Sequence, residues 1–180
     1  DSIELNLVGE ITSSTNVLRN TSNIARDGIC RVTNVTNARG DIETNYFNND
    51  GFLTQVKNGR NKSRFYSYTP RGELKLINYA DYTSETFRFD GNGNQTKRLN
   101  GLNQATDYYY DSTDNLVGIY YPSGTPTTLS YDYDGRRTQM LDSIGMNEWT
   151  YDNAGNVTKL ITPQGTMDYA YDAWNRTTSL

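Results

Sequence analysis

The chain has 180 residues, a formal net charge of -4, no histidine and one cysteine, so a Ser-His-Asp or Cys-His nucleophile, an internal disulfide and a cysteine-based zinc site are all excluded. Its Lys and Arg residues are scattered, which removes the basic footprint of a nucleic-acid partner, and no apolar run approaches the roughly 20 residues of a membrane-inserted helix. Fifteen tyrosines among abundant Thr and Asn favour strands and turns over helices.

In chain order, residues 1–44 read as degenerate N-terminal repeats. Gly9 and Gly28 stand at turn positions, Leu5 and Ile24 lie four residues ahead of them, and Cys30 reads as a small packed hydrophobe. From residue 45 to 180 the repeat is regular. Gly51, Gly72, Gly93, Asp114 and Gly135 follow at intervals of 21, and Gly155 and Asn175 continue at intervals of 20. Asp and Asn are the residue types that, after glycine, best tolerate a left-handed backbone, so this column predicts one turn position with positive φ. Four residues before each member stands an aromatic ring: Phe47, Tyr68, Phe89, Tyr110, Tyr131, Tyr151 and Tyr171. Two residues further back come Asn45, Tyr66, Phe87, Tyr108, Leu129, Trp149 and Tyr169, which a period of two puts on the same strand face.

Directly after the aromatic ring comes a turn initiator, Asn48, Thr69, Asp90, Asp111, Asp132, Asp152 or Asp172, whose side chain can accept backbone hydrogen bonds. Beyond the turn, Thr54, Thr96, Thr138, Thr158 and Thr178 stand three residues on. Val56, Ile77, Arg98, Ile119, Met140, Leu160 and Leu180 stand five residues on, on the face of the threonines. A second series, Gly40, Gly59, Ala80, Gly101, Gly124, Gly145 and Gly165, marks the return turns. The reading is an all-β chain of consecutive antiparallel β-hairpin repeats of 20–21 residues, in which 1–44 and 45–180 form one structural unit.

The stretches YDYDGRRT from Tyr131, YDNAGNVT from Tyr151 and YDAWNRTT from Tyr171 resemble the tyrosine–aspartate (YD) repeat of the Rhs family, with Tyr131, Asp132, Gly135, Tyr151, Asp152, Gly155, Tyr171 and Asp172 as its signature and Tyr110 and Asp111 opening the copy before. The resemblance implies a sheet that spirals into part of a secreted or cell-surface shell, as in bacterial Rhs toxins, wall-associated proteins, toxin-complex shell subunits and teneurins. It implies further repeats or other copies as partners and an enclosed polypeptide as cargo. The self-cleaving segment that closes some such shells is not matched, and no catalytic, metal or cofactor-binding residue is assigned.

Asp132 and Asp134 could serve a glycosidase, but the same Asp column recurs where no second carboxylate is present, so turn capping is the better reading. The run from Asp90 starts like a calcium loop, yet Gln95 and Gly101 stand where that loop needs glycine and glutamate. Tyr109, Tyr120 and Tyr121 fall outside the columns and are candidate glycan contacts, so a carbohydrate-binding module is the first alternative function and a self-assembling filament subunit the second.

Overall fold

The segments between turns are mostly five or six residues long, rich in Thr, Val, Ile and Tyr, and bounded by Asn, Asp and Gly. The computed structural model describes residues 2–16, 18 and 20–179, and nearly every such segment among them is a strand, with no helix. Strands β1 to β17 belong to one antiparallel sheet of consecutive hairpins, and β18 and β19 form a two-stranded sheet.

The chain divides into two compact units. In the unit up to Thr86, β1 (Ser2–Leu5), β2 (Ile11–Thr15), β3 (Thr21–Arg26), β4 (Val32–Thr36), β5 (Ile42–Phe47), β6 (Leu53–Lys57), β7 (Ser63–Tyr68) and β8 (Leu74–Asn78) each pair with the next. Residues Ser84–Thr86 of β9 (Ser84–Phe89) pair with β8. In the unit from Phe87, β10 (Gln95–Leu99), β11 (Ala105–Tyr110), β12 (Leu116–Tyr120), β13 (Thr127–Tyr131), β14 (Arg137–Leu141), β15 (Met146–Tyr151), β16 (Val157–Thr162) and β17 (Gly165–Asp168) do the same, followed by the pair β18 (Ala170–Tyr171) and β19 (Thr177–Ser179).

Burial alternates along the strands as the pleat requires. The aromatic column from Phe47 to Tyr171 and the column two residues before it are half-buried. The residues between them, Tyr46, Ser67, Arg88, Tyr109, Ser130, Thr150 and Ala170, are exposed on the other face. The apolar column pairs in register with the first of these faces: Asn45 opposite Val56, Tyr66 opposite Ile77, Tyr108 opposite Ile119, Leu129 opposite Met140 and Trp149 opposite Leu160. The aromatic–aliphatic pairs among them, Tyr66–Ile77, Tyr108–Ile119 and Trp149–Leu160, each contribute about 0.2–1 kcal/mol. Leu180, assigned to the end of this column, lies outside the described residues. Among the described residues no hydrophobic side chain is buried, and the one buried polar residue is Ser13, whose hydroxyl donates to Glu4. Cohesion is therefore lateral, from strand to strand.

All seven members of the turn column have positive φ: Gly51, Gly72, Gly93, Gly135 and Gly155, and the non-glycine Asp114 (64°) and Asn175 (59°). At the N-terminus Gly9 fits (83°) but Gly28 does not; the left-handed residue is Cys30 (67°), 21 residues before Gly51. The reason is that Asp27 initiates the turn, so Arg26 takes the aromatic position and Ile24 falls two residues earlier, opposite Val35. Cys30 is consequently exposed at a turn, not packed as a hydrophobe.

The return turns need a second correction. Gly40, Gly124, Gly145 and Gly165 are left-handed, but in three copies the left-handed residue is Asn61, Tyr82 or Asn103, two positions after Gly59, Ala80 and Gly101. Gly59 is instead required by crowding, since a Cβ there would lie 2.7 Å from that of Asp41.

The threonines mark β-bulges. Register shifts leave Thr54, Thr138, Thr158 and Thr178 without a facing partner. The hydroxyls of Thr12, Thr54 and Thr158 donate to the carbonyls of Glu4, Tyr46 and Thr150 at 3.2 Å, supplying a hydrogen bond at the interrupted ladder.

Gly124→Ala, with nothing within 4 Å of the new Cβ, should cost the left-handed penalty alone, about 1–2 kcal/mol. Gly72→Ala should cost more, because its Cβ would also sit 2.8 Å from the Phe52 ring. Urea denaturation of the two variants checks the order.

Candidate functional site

The feature that recurs is the turn itself, and Asp132 shows how its residue types follow from their tasks. The Gly135 N–H donates to the Asp132 carbonyl (3.1 Å) and the Asp132 N–H to the Arg136 carbonyl (2.9 Å), so the left-handed residue closes a tight loop at a bulge. Two further backbone donors, the N–H groups of Asp134 and Arg136, point into the loop, and Asp132 Oδ1 accepts both at 3.0 and 2.9 Å. Oδ2 then accepts Arg136 Nε at 2.7 Å. Where the following residue is Asn, its amide replaces the guanidinium: Asn94 on Asp90, Asn115 on Asp111 and Asn156 on Asp152, at 3.1, 3.1 and 2.9 Å. The Arg-or-Asn choice in the motif is thus a choice of donor for the second carboxylate oxygen.

The tyrosine joins one repeat to the one before. The hydroxyls of Tyr68, Tyr110, Tyr131, Tyr151 and Tyr171 donate to the backbone carbonyls of Leu53, Gln95, Leu116, Arg137 and Val157, 14 or 15 residues back, at 2.8–3.0 Å. The residue after the left-handed position covers the next ring: Phe52 stacks on Tyr68 at 4.8 Å, Arg31 lies 4.5 Å over Phe47 and Arg136 5.1 Å over Tyr151.

These contacts hold the turn carboxylates in their charged form. The Thr113 hydroxyl and the Asn115 amide lower Asp111 to about 2, the Asn156 amide lowers Asp152, and the Arg176 backbone N–H lowers Asp172. The candidate calcium run uses the same geometry, because Asp90 Oδ1 accepts the N–H groups of Asn92 and Asn94 and faces its own turn. Asp132 and Asp134 sit in one turn, both on Arg136. Among the described residues no group of three or more His, Cys, Asp or Glu is placed to hold a metal ion.

Of the candidate contact residues, two come together. The rings of Tyr109 and Tyr120 meet edge to face at 5.1 Å, 54% and 48% exposed, above Gly118, which is directly opposite Tyr109; a Cβ at 118 would lie 3.1 Å from the Tyr120 ring. Tyr121 is exposed beyond the end of β12, with its hydroxyl 3.2 Å from that of Thr127, and is not part of the pair.

A second set of turn initiators is absent from the sequence reading. Asn16, Asn37, Asn58 and Asn100 each accept two backbone N–H groups through Oδ1 and cap the return turns as Asp caps the others. Their spacing of 21, with Tyr79 in series, is the signal that identifies them.

Two outcomes follow for these turns. Tyr131→Phe should lower stability by about 0.5–1.5 kcal/mol, the worth of one neutral hydrogen bond, measured by chemical denaturation. Because the folded Asp values lie below the unfolded value of about 3.9, their contribution is complete above that value and is lost as pH falls through the folded ones. The denaturation midpoint should hold from pH 7 to 5 and fall between about 4 and 2, and the fall should shrink in an Asp111→Asn, Asp152→Asn double variant.

The family model of the RHS Repeat matches residues 110–145, 131–167 and 151–180. No curated protein sequence matches the chain. Among solved structures, the Photorhabdus luminescens Tc holotoxin pore with a TccC3 mutation is similar at a TM-score of 0.73 and 16% identity, over 98% of this chain and 12% of that chain. TcdB2-TccC3 without its hypervariable C-terminal region is similar at a TM-score of 0.50 and 14% identity, over 95% of this chain and 12% of that one. At such identities the likeness is one of fold, and this chain spans about an eighth of the length of those it matches. A turn built from Tyr, Asp, a left-handed residue and Arg or Asn, iterated through hairpins, is the feature that the RHS Repeat model matches in three overlapping copies within residues 110–180.

Proposed function

We propose that the chain is a non-enzymatic wall segment of a secreted or cell-surface β-shell or scaffold, whose function is to enclose a polypeptide or present a contact surface. The observation that carries this reading is a sheet with no buried hydrophobic side chain among the described residues and with large apolar groups left open on its first strand, Ile3 at 59% and Leu5 at 57% exposed. A self-sufficient globular domain covers such groups with a second layer. A wall instead gains its stability from neighbouring units, each adding similar contacts to the last. Its partners are further repeats of the same polypeptide or other copies of it, and the polypeptide it encloses.

A second reading, carbohydrate binding or adhesion, is favoured by the Tyr109–Tyr120 pair, two half-exposed rings on a face where most positions in the same column are small or polar. Aromatic rings of this kind stack on the apolar faces of sugars.

Light scattering and electron microscopy over a range of concentrations test the leading reading. A wall segment should associate as concentration rises, less so in Ile3→Lys, which puts a charge on the β1 edge. A chain that stays monomeric throughout, and saturably binds glycan in a manner lost in Tyr109→Ala and Tyr120→Ala, would replace the wall with the adhesion module.

A further inference from the structure

Three positions in the turn column carry a side chain in place of glycine: Cys30, Asp114 and Asn175. A left-handed backbone costs a non-glycine residue free energy, least for Asn and Asp, so each side chain needs a compensating contact. At Asp114 and Asn175 the contact is of one kind, a hydrogen bond to the preceding turn. Asp114 Oδ1 accepts the side-chain amides of Asn92 and Asn94 in the preceding turn, at 2.8 and 2.7 Å. Asn175 Oδ1 accepts the amide of Asn156 at 3.1 Å. The third, Cys30, has its thiol pushed up from the ordinary range by the Glu10 carboxylate. Asn94, Asn156 and Glu10 each directly follow the left-handed residue of the preceding turn.

The glycine copies have the same geometry without the side chain. A Cβ built on Gly51 would lie 3.6 Å from Arg31 Nη1, one on Gly155 3.9 Å from Arg136 Nη1, and one on Gly135 4.0 Å from Asn115 Oδ1. At Gly72 it would meet the Phe52 ring at 2.8 Å. The residue reached is in every case the one after the preceding left-handed position.

We propose that these two positions form a pairing code between consecutive turns: a polar side chain at the left-handed position ties its turn to the polar residue after the preceding one, and glycine leaves the tie open. Glycine is obligatory only where that residue is aromatic and stacks on the next ring, as Phe52 does on Tyr68. The code makes the rim of the sheet a place where stiffness is set copy by copy, independently of the strand ladders.

The test writes a tie where none exists. Gly155→Asp and Gly155→Ala are compared in the full chain, with Arg136 present and in an Arg136→Gln background. The Asp variant should have the higher denaturation midpoint, and the gap should narrow in Arg136→Gln and in high salt. An unchanged gap would mean that Asp merely tolerates the left-handed backbone better than Ala, and would overturn the code. Asp114→Gly, which relaxes the backbone, gives an independent readout on a natural tie: hydrogen exchange of the Asn92 side-chain amide should accelerate severalfold, and an unaltered rate would equally overturn the proposal.

Discussion

Two inward-pointing backbone N–H groups in a tight turn must find an acceptor, and at most of these turns one side-chain oxygen takes both. Asp132 Oδ1 does so at the signature turn and Asn58 Oδ1 at a return turn, with distances between 2.9 and 3.0 Å. Much else in the hairpin follows from that bond. It fixes the left-handed residue three positions on, which favours Gly, Asn or Asp although Cys30 and Tyr82 also occupy it, and it frees the second carboxylate oxygen to hold the Arg or Asn that covers the next repeat. The bulge that accompanies such turns leaves a residue unpaired, and the threonine hydroxyl satisfies the carbonyl opposite.

This arrangement suits a sheet in which, among the described residues, no hydrophobic side chain is buried. A typical domain draws its stability from apolar area hidden between layers. Here the apolar columns are half-buried by their lateral neighbours, and polar contacts at fixed positions carry the rest: the tyrosine hydroxyl reaching back to a carbonyl, the capped turn, the cross-strand pair. Each term is small and repeats, so cohesion grows with the number of units and not with the depth of a core. Such a design leaves the loop tips and the exposed face free to vary from unit to unit.

Much of this was legible in the residues themselves. Strand, turn and face assignments follow from the spacing of aromatic rings and turn residues, and Asp114 and Asn175 are left-handed as their places in the column require. Cys30 escaped because Gly28 lies two positions away and glycine is the expected marker, although the interval of 21 back from Gly51 points to Cys30. Gly59 and Gly101 misled in the same way, standing beside Asn58 and Asn100, the true initiators. The reach of Tyr131 to Leu116 and the meeting of Tyr109 with Tyr120 were not legible, because both depend on how neighbouring strands align across a bulge.

Most of the turns are thus held by the side-chain oxygen of their own initiator. Native-state hydrogen exchange resolved at single amides measures it. The Asp134 and Arg136 N–H groups, which face Asp132 Oδ1, should exchange slowly, at rates close to those of the flanking ladder amides, and lose that protection in Asp132→Ala. Free exchange of both amides in the unaltered chain, with the adjacent ladder still protected, would contradict it.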